Sequence, residues 1–180
     1  MKEESPVKEW INEPKKCPMS AKEMWESLDE QGYVVIPNVL SEAVCDCIYN
    51  YWFDWLETLT YGKIKRDKMC TWNARNMPPN TRGLFQHMNV GFNKSSIATR
   101  MCTKYIFEEL YGTSKLNCSF DGSSFTLKGK ICKYKDLMHW KDNCWTTNVH
   151  IDQTIEDEES DQSERSVQGG FAMCDQNEDG

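Results

Sequence analysis

The 180-residue chain has no apolar run approaching the roughly 18 residues that would cross a bilayer, so no membrane span is expected. Its opening, MKEESPVKEWINEPKK, is charged and has no apolar signal-peptide core. The expected location is cytoplasmic. No CxxC pair exists among the nine cysteines, and only Cys45-x-Cys47 is close. That odd number and scattered spacing fit free thiols, and speak against both a zinc framework and a secreted disulfide framework. A basic excess is missing too. The net charge is −7, and much of it comes from the block EDEESDQSE, which holds six acidic residues. Such a block reads as a solvated loop, and nucleic acid is not an expected partner because phosphate binding needs a basic face. Histidine is scarce, with His87, His139 and His150 the three present. There is no internal repeat.

What is there can fold. Hydrophobic residues make up 39% of the chain and aromatics 12%, enough for one domain with a ring-rich core. Residues 1–19 read as a polar lead-in and 20–180 as the domain, with an acidic loop at 155–165. Ser20 and Glu23 make a capping-box pattern and Gly32 stands where a helix would stop, which predicts a helix over about 21–30. YVVIP follows as a β-favouring run stopped by Pro37. Ser41 then heads the helical stretch EAVCDCIYNYWFDWLETL. Its apolar stripe, Val44, Ile48, Tyr51, Trp52, Trp55 and Leu59, recurs at three- and four-residue steps and is expected in the core.

Residues 62–94 look irregular. A third helix is expected over about 96–110, starting at two serines and ending before Gly112. Beyond it the pattern becomes short strands. LNCSFDGSSFTL reads as two of them around the turn dipeptide Asp121-Gly122. ICKY, CWTTNVHI and SVQGGFAM are further candidates. Helices first and short strands later define an α+β fold, with a sandwich or barrel as its β part.

WTTNVHIDQT carries the one spacing with metal chemistry in it. On a strand, residues i and i+2 share a face, so His150 and Asp152 can reach one metal. A distant second His would complete the two-histidine, one-carboxylate triad that holds Fe(II) and leaves positions open. By itself His-x-Asp reads more readily as a hydrogen-bonded pair at a strand end.

The surroundings add specificity. GYVVIPNVLSEAVCDCI resembles the entry segment of the phytanoyl-CoA dioxygenase-like family. GLFQHMNVGF, ATR, ELYGTSKLNCSFDGSSF, WTTNVHIDQT and SVQGGFAMCDQNEDG then follow in the order of one branch of that family. The likeness covers about residues 32–180. It implies a double-stranded β-helix (jelly roll) with N-terminal helices packed on it, of which this chain would be the N-terminal part. The implied activity is Fe(II)/2-oxoglutarate-dependent hydroxylation of a small organic substrate.

Residue by residue, the resemblance makes His150 and Asp152 iron ligands and sets Gln168 on the strand facing the cosubstrate pocket. An intact carboxylate at Asp152 favours hydroxylation over halogenation. Trp145 is expected to pack in the core rather than to serve the metal strand beside it, Asp121-Gly122 to turn, and His139 to lie at the surface. His87 matches a family segment without a ligand role.

Neither the family's second His nor the Arg that pairs with the far carboxylate of 2-oxoglutarate follows within these residues. The chain is therefore expected to be a fragment or a natural truncation, inactive by itself. The competing reading is a non-catalytic remnant of the fold that serves as an interaction module through an exposed β edge.

Overall fold

Ser20 and Glu23 close the cap that their spacing predicts. In the computed structural model, Ser20 Oγ accepts from Glu23 N at 3.3 Å, and Glu23 Oε2 accepts from Ser20 N at 2.8 Å. The structure describes residues 5–73, 75–80, 83–120, 122–125 and 166–174. Helix α1 spans Pro6–Asn12, α2 Ala21–Gln31, α3 Glu42–Leu59 and α4 Lys94–Tyr111. Strand β1 is Leu84–Phe85 and strand β2 is Ser123–Ser124. The described fold is thus mixed α and β, as expected.

Helix α2 stops where glycine permits it, at Gly32 with φ +78°. Helix α3 occupies the predicted stretch. Ser41 stands at its N-cap without a side-chain cap bond, and its carbonyl accepts from Val44 N and Cys45 N at 3.0 Å each. Helix α4 begins two residues earlier than the serines suggest. Asn93 is the cap, and its Oδ1 accepts from Ser96 N at 2.7 Å. Ser96 Oγ is instead turned onto the Val90 carbonyl at 2.8 Å.

The polar lead-in holds a helix that its composition concealed. Pro6 opens α1, where a missing N–H has no consequence, and Val7 buries the helix against α3 and α4. Trp10 Nε1 donates to the Cys102 carbonyl at 3.1 Å and fixes α1 on α4.

Helix α3 buries Val44, Ile48, Trp52, Phe53 and Leu56. Tyr51, Trp55 and Leu59 of the predicted stripe are only half-buried. The face rotates because the helix serves two cores. Its first half packs Val44 and Ile48 with Ala98 and Cys102 of α4. Its second half packs Trp52, Phe53 and Leu56 with Ile64, Trp72 and Phe85.

The two strands depart from the predicted hairpin. β2 pairs antiparallel with β1, Leu84 opposite Ser124 and Phe85 opposite Ser123, and not with residues 116–120. Phe125 explains the choice: its ring stacks on Trp52 with centroids 4.9 Å apart, and its N–H reaches the Gly83 carbonyl at 2.9 Å. Burying that ring draws the chain across to β1. Gly122 permits it, since a Cβ there would lie 2.2 Å from the Phe85 carbonyl oxygen.

YVVIP and SVQGGFAM also differ from expectation. Neither has a ladder partner among the described residues. The alternation of a strand survives in the first. Val34 and Ile36 face the helices, whereas Tyr33 and Val35 are 60% and 73% exposed. ICKY, CWTTNVHI and the acidic loop at 155–165 lie outside the described residues. No described helix is long and apolar enough to cross a membrane.

Arg66 ties the loop after α3 back onto that helix. Its Nη2 donates to Glu57 Oε2 at 2.9 Å and pairs with Asp54, while Nη1 donates to Asn50 Oδ1 at 3.1 Å. The Arg66 hydrogen bonds hold the Glu57 carboxyl below its ordinary range.

Two stability predictions follow from these contacts. Phe53 is fully buried, so Phe53→Ala should lower unfolding free energy by about 3–5 kcal/mol, read as a shifted urea midpoint. Glu57 has a depressed folded pKa, so its stabilisation is present above the unfolded value of about 4.3 and fades as pH falls through the folded one. Both partners are part-exposed, so the term should be about 1 kcal/mol or less. Glu57→Gln should remove that portion of the acid dependence in urea titrations at pH 3 to 6.

Candidate functional site: an apolar cleft beside Gln168

Helix α4 supplies the floor of a concavity between two segments distant in sequence. Ile106 and Leu110, one turn apart, lie beside Met24 of α2, and all three are buried. Residues 33–40 form one wall through Val34, Ile36 and Val39. Residues 167–172 form the other, with Val167 and Phe171 turned inward and half-buried. The cleft between them has a volume of about 390 Å³.

Long-range hydrogen bonds hold these parts in place. Trp25 Nε1 donates to the Leu110 carbonyl at 2.9 Å, which satisfies an oxygen in the last turn of α4 and docks α2 against it. The Tyr105 hydroxyl donates to the Val39 carbonyl at 2.8 Å and pins the wall to α4. Ser27 Oγ donates to the Tyr33 carbonyl at 2.8 Å. Glu109 sets its carboxylate at the start of α2, where Oε1 accepts from Ala21 N at 3.3 Å. That end of a helix favours negative charge.

Polar groups stand at the rim. Asn38, held at φ +58°, and Gln168 are both exposed. Gly169 lies so close to Phe107 that a Cβ would come within 2.8 Å of the ring's Cζ. Cys45, in the first turns of α3, is the sole ionisable side chain in the lining. Burial, then the neighbouring Asp46 carboxylate, pushes its thiol pKa up. The cleft can exclude water and hold apolar surface. Among the described residues its lining has no acid–base pair and no cation.

The expected site residues fall unevenly. Gln168 lines the cleft. His150 and Asp152 lie outside the described residues, as do Asp121, His139 and Trp145. His87 is exposed in a turn where Met88 and Asn89 both have positive φ, 59° and 57°. Among the described residues, no group of three His, Cys, Asp or Glu could hold a metal. The cleft lining, with one thiol and two amides, does not suit Fe(II). Nor does it offer a guanidinium or ammonium for the carboxylates of 2-oxoglutarate. Sequence reasoning missed Cys45 and the Met24, Ile106 and Leu110 floor. Their signal was the four-residue spacing of Ile106 and Leu110, which reads as ordinary core.

Comparison with known proteins adds a distant likeness. No family model matches the chain, and no solved structure matches it. The chain is similar to "Ava biosynthesis cluster protein O" of Aspergillus versicolor, with 27% identity over 129 residues. That alignment covers 71% of this chain and 38% of the relative. The chain thus spans well under half the length of the curated relative it matches.

The raised thiol predicts slow alkylation of Cys45. A group whose charged form is disfavoured carries less thiolate at neutral pH. Iodoacetamide labelling at Cys45, followed by peptide mapping, should climb with pH only above the ordinary thiol range near about 8.5. Rapid labelling at pH 7 would contradict the burial.

Proposed function

We propose that the chain is the N-terminal part of an Fe(II)/2-oxoglutarate-dependent oxygenase that hydroxylates a small organic substrate. One observation carries the reading from the structure. Two apolar extended segments, 33–36 and 166–172, lie far apart in sequence and are brought to the same face of α2 and α4. Neither has a ladder partner among the described residues. Strands of a jelly roll with helices packed on it would enter the fold in this way. The order of segments that resembles the phytanoyl-CoA dioxygenase-like family supports the same reading. The likeness to a biosynthesis cluster protein is compatible with small-molecule chemistry.

In this proposal His150 and Asp152, two residues apart on one strand face, hold the iron. The resemblance places the third ligand and the 2-oxoglutarate anchor beyond residue 180. The resemblance sets Gln168 toward the cosubstrate pocket, but the cleft it lines offers 2-oxoglutarate no cation among the described residues, so no cosubstrate contact is assigned to it. Iron and cosubstrate, when bound, supply the oxidation.

A second reading has its own support. Tyr33 and Val35 present apolar side chains to solvent from an unpaired extended segment. That edge suits a non-catalytic module that takes up a partner strand.

Succinate formation separates the two. The full-length protein, with Fe(II), 2-oxoglutarate and a panel of small organic substrates, should release succinate. His150→Ala and Asp152→Ala should each lower turnover at least about a hundredfold, the upper end of what loss of mere supporting residues does. Equal turnover in the variants would sink the ligand assignment. Absence of succinate with every substrate, alongside strand-mediated capture of a peptide, would favour the module.

A further inference from the structure

We propose that the cleft between residues 33–40 and 167–172 binds a neutral, mainly apolar small molecule bearing one polar group, and does not bind 2-oxoglutarate. The inference concerns a site other than the iron centre proposed above and does not depend on it.

Three features of the cleft select that ligand. Its floor is fully apolar and deep: Met24, Ile106 and Leu110 are 1%, 6% and 5% exposed. Its volume of about 390 Å³ lies within the range of roughly 300–1,000 Å³ usual for small-molecule sites. Its rim carries amides, Asn38 and Gln168, in place of charges. Among the described residues, no Asp, Glu, Lys, Arg or His lines it. A carboxylate entering the cleft would lose its water and meet no cation, whereas a hydroxyl or carbonyl could use the rim amides. An apolar body would cover surface that is otherwise wet.

The ligand geometry is set by what is fixed and what is open. Tyr105 and Trp25 pin both sides of the floor through the Val39 and Leu110 carbonyls. The shape is therefore largely preformed. At Gly170 an added Cβ would meet nothing within 4 Å, and its backbone φ is not in the left-handed region. A Cβ there meets open space, so a side chain at this lining position is a means of obstructing the mouth.

The test uses the full chain and the probe N-phenyl-1-naphthylamine, read by fluorescence. The probe should bind saturably, one per chain. Dodecanol should displace it at least about tenfold more effectively than dodecanoate, because only the latter brings a charge that finds no partner. 2-Oxoglutarate should not displace it. Ile106→Trp, which fills the floor, and Gly170→Leu, which obstructs the mouth from the surface, should each weaken probe binding about tenfold or more. Dodecanol should also protect Cys45 from iodoacetamide.

If Ile106→Trp fails to fold, Gly170→Leu and Cys45 protection decide. Non-saturable binding, or unchanged affinity in Gly170→Leu with no protection of Cys45, would overturn the site. Equal displacement by dodecanol and dodecanoate, or displacement by 2-oxoglutarate, would overturn the ligand class. His150→Ala should leave probe binding intact, so failure of the iron assignment and failure of this site are read separately.

Discussion

Close packing of α3 on α4 is the contact from which the other elements take their places. Ala98 and Cys102 are small and one turn apart on α4, so Val44 and Ile48 of α3 can seat against them. With that pair set, α4 offers its remaining faces to everything else. Trp10 brings α1 to the Cys102 carbonyl, Trp25 brings α2 to the Leu110 carbonyl, and Tyr105 holds the Val39 carbonyl. Each of these is a ring with a single polar group, able to bury apolar area and still satisfy a donor. A larger residue at Ala98 or Cys102 would push the two helices apart and disturb all three docking bonds together.

The second core is built differently. Trp52, Phe53, Trp72, Phe85 and Phe125 meet edge-to-face, stacked or tilted, with centroids from 4.9 to 5.9 Å apart. Aromatic contacts at that spacing add to plain area burial. They also govern chain routing, since β2 goes to β1 in order that Phe125 reach Trp52. The Trp52 indole N–H has no hydrogen-bond partner among the described residues. Arg66 closes the outer side of this core, with its guanidinium 5.8 Å from the Phe53 ring centroid and its nitrogens on Glu57 and Asn50.

Local signals were legible in the sequence and long-range ones were not. The Ser20–Glu23 box, the αL position at Gly32 and the full extent of α3 could be read from neighbouring residues, because caps and helical periodicity are local physics. Helix α1 escaped notice because it is short and mostly polar, and its reason for forming is Trp10 on a helix more than ninety positions away. The hairpin around Gly122 was misassigned for the same cause: a turn dipeptide permits a hairpin, but a distant ring decided the pairing. Of the site, the spacing of His150 and Asp152 was visible and lies outside the described residues. The placement of Gln168 beside Met24 and Ile106 needed the fold, since nothing near Gln168 in sequence announces its neighbours.

The cleft and the proposed His-x-Asp iron site demand opposite surroundings. Two imidazoles and a carboxylate around Fe(II), with a dianionic cosubstrate, need cations and hydrogen-bond donors nearby. The cleft has only amides, a thiol kept neutral by burial and Asp46, and aliphatic floor. One pocket cannot satisfy both sets of requirements, because bringing a charge into the second is unfavourable by several kcal/mol unless it is paired, roughly the scale seen for isolated buried ions. In the proposed reading the iron ligands belong to the WTTNVHIDQT stretch, whereas the apolar surface lies where α2 and α4 face residues 33–40 and 167–172. The exposed Tyr33 and Val35 lie on the outer face of the same wall whose Val34 and Ile36 line the cleft. Any strand that pairs with residues 33–36 would thus brace the cleft from outside without entering it, linking the β part of the protein to its apolar site through one segment of main chain.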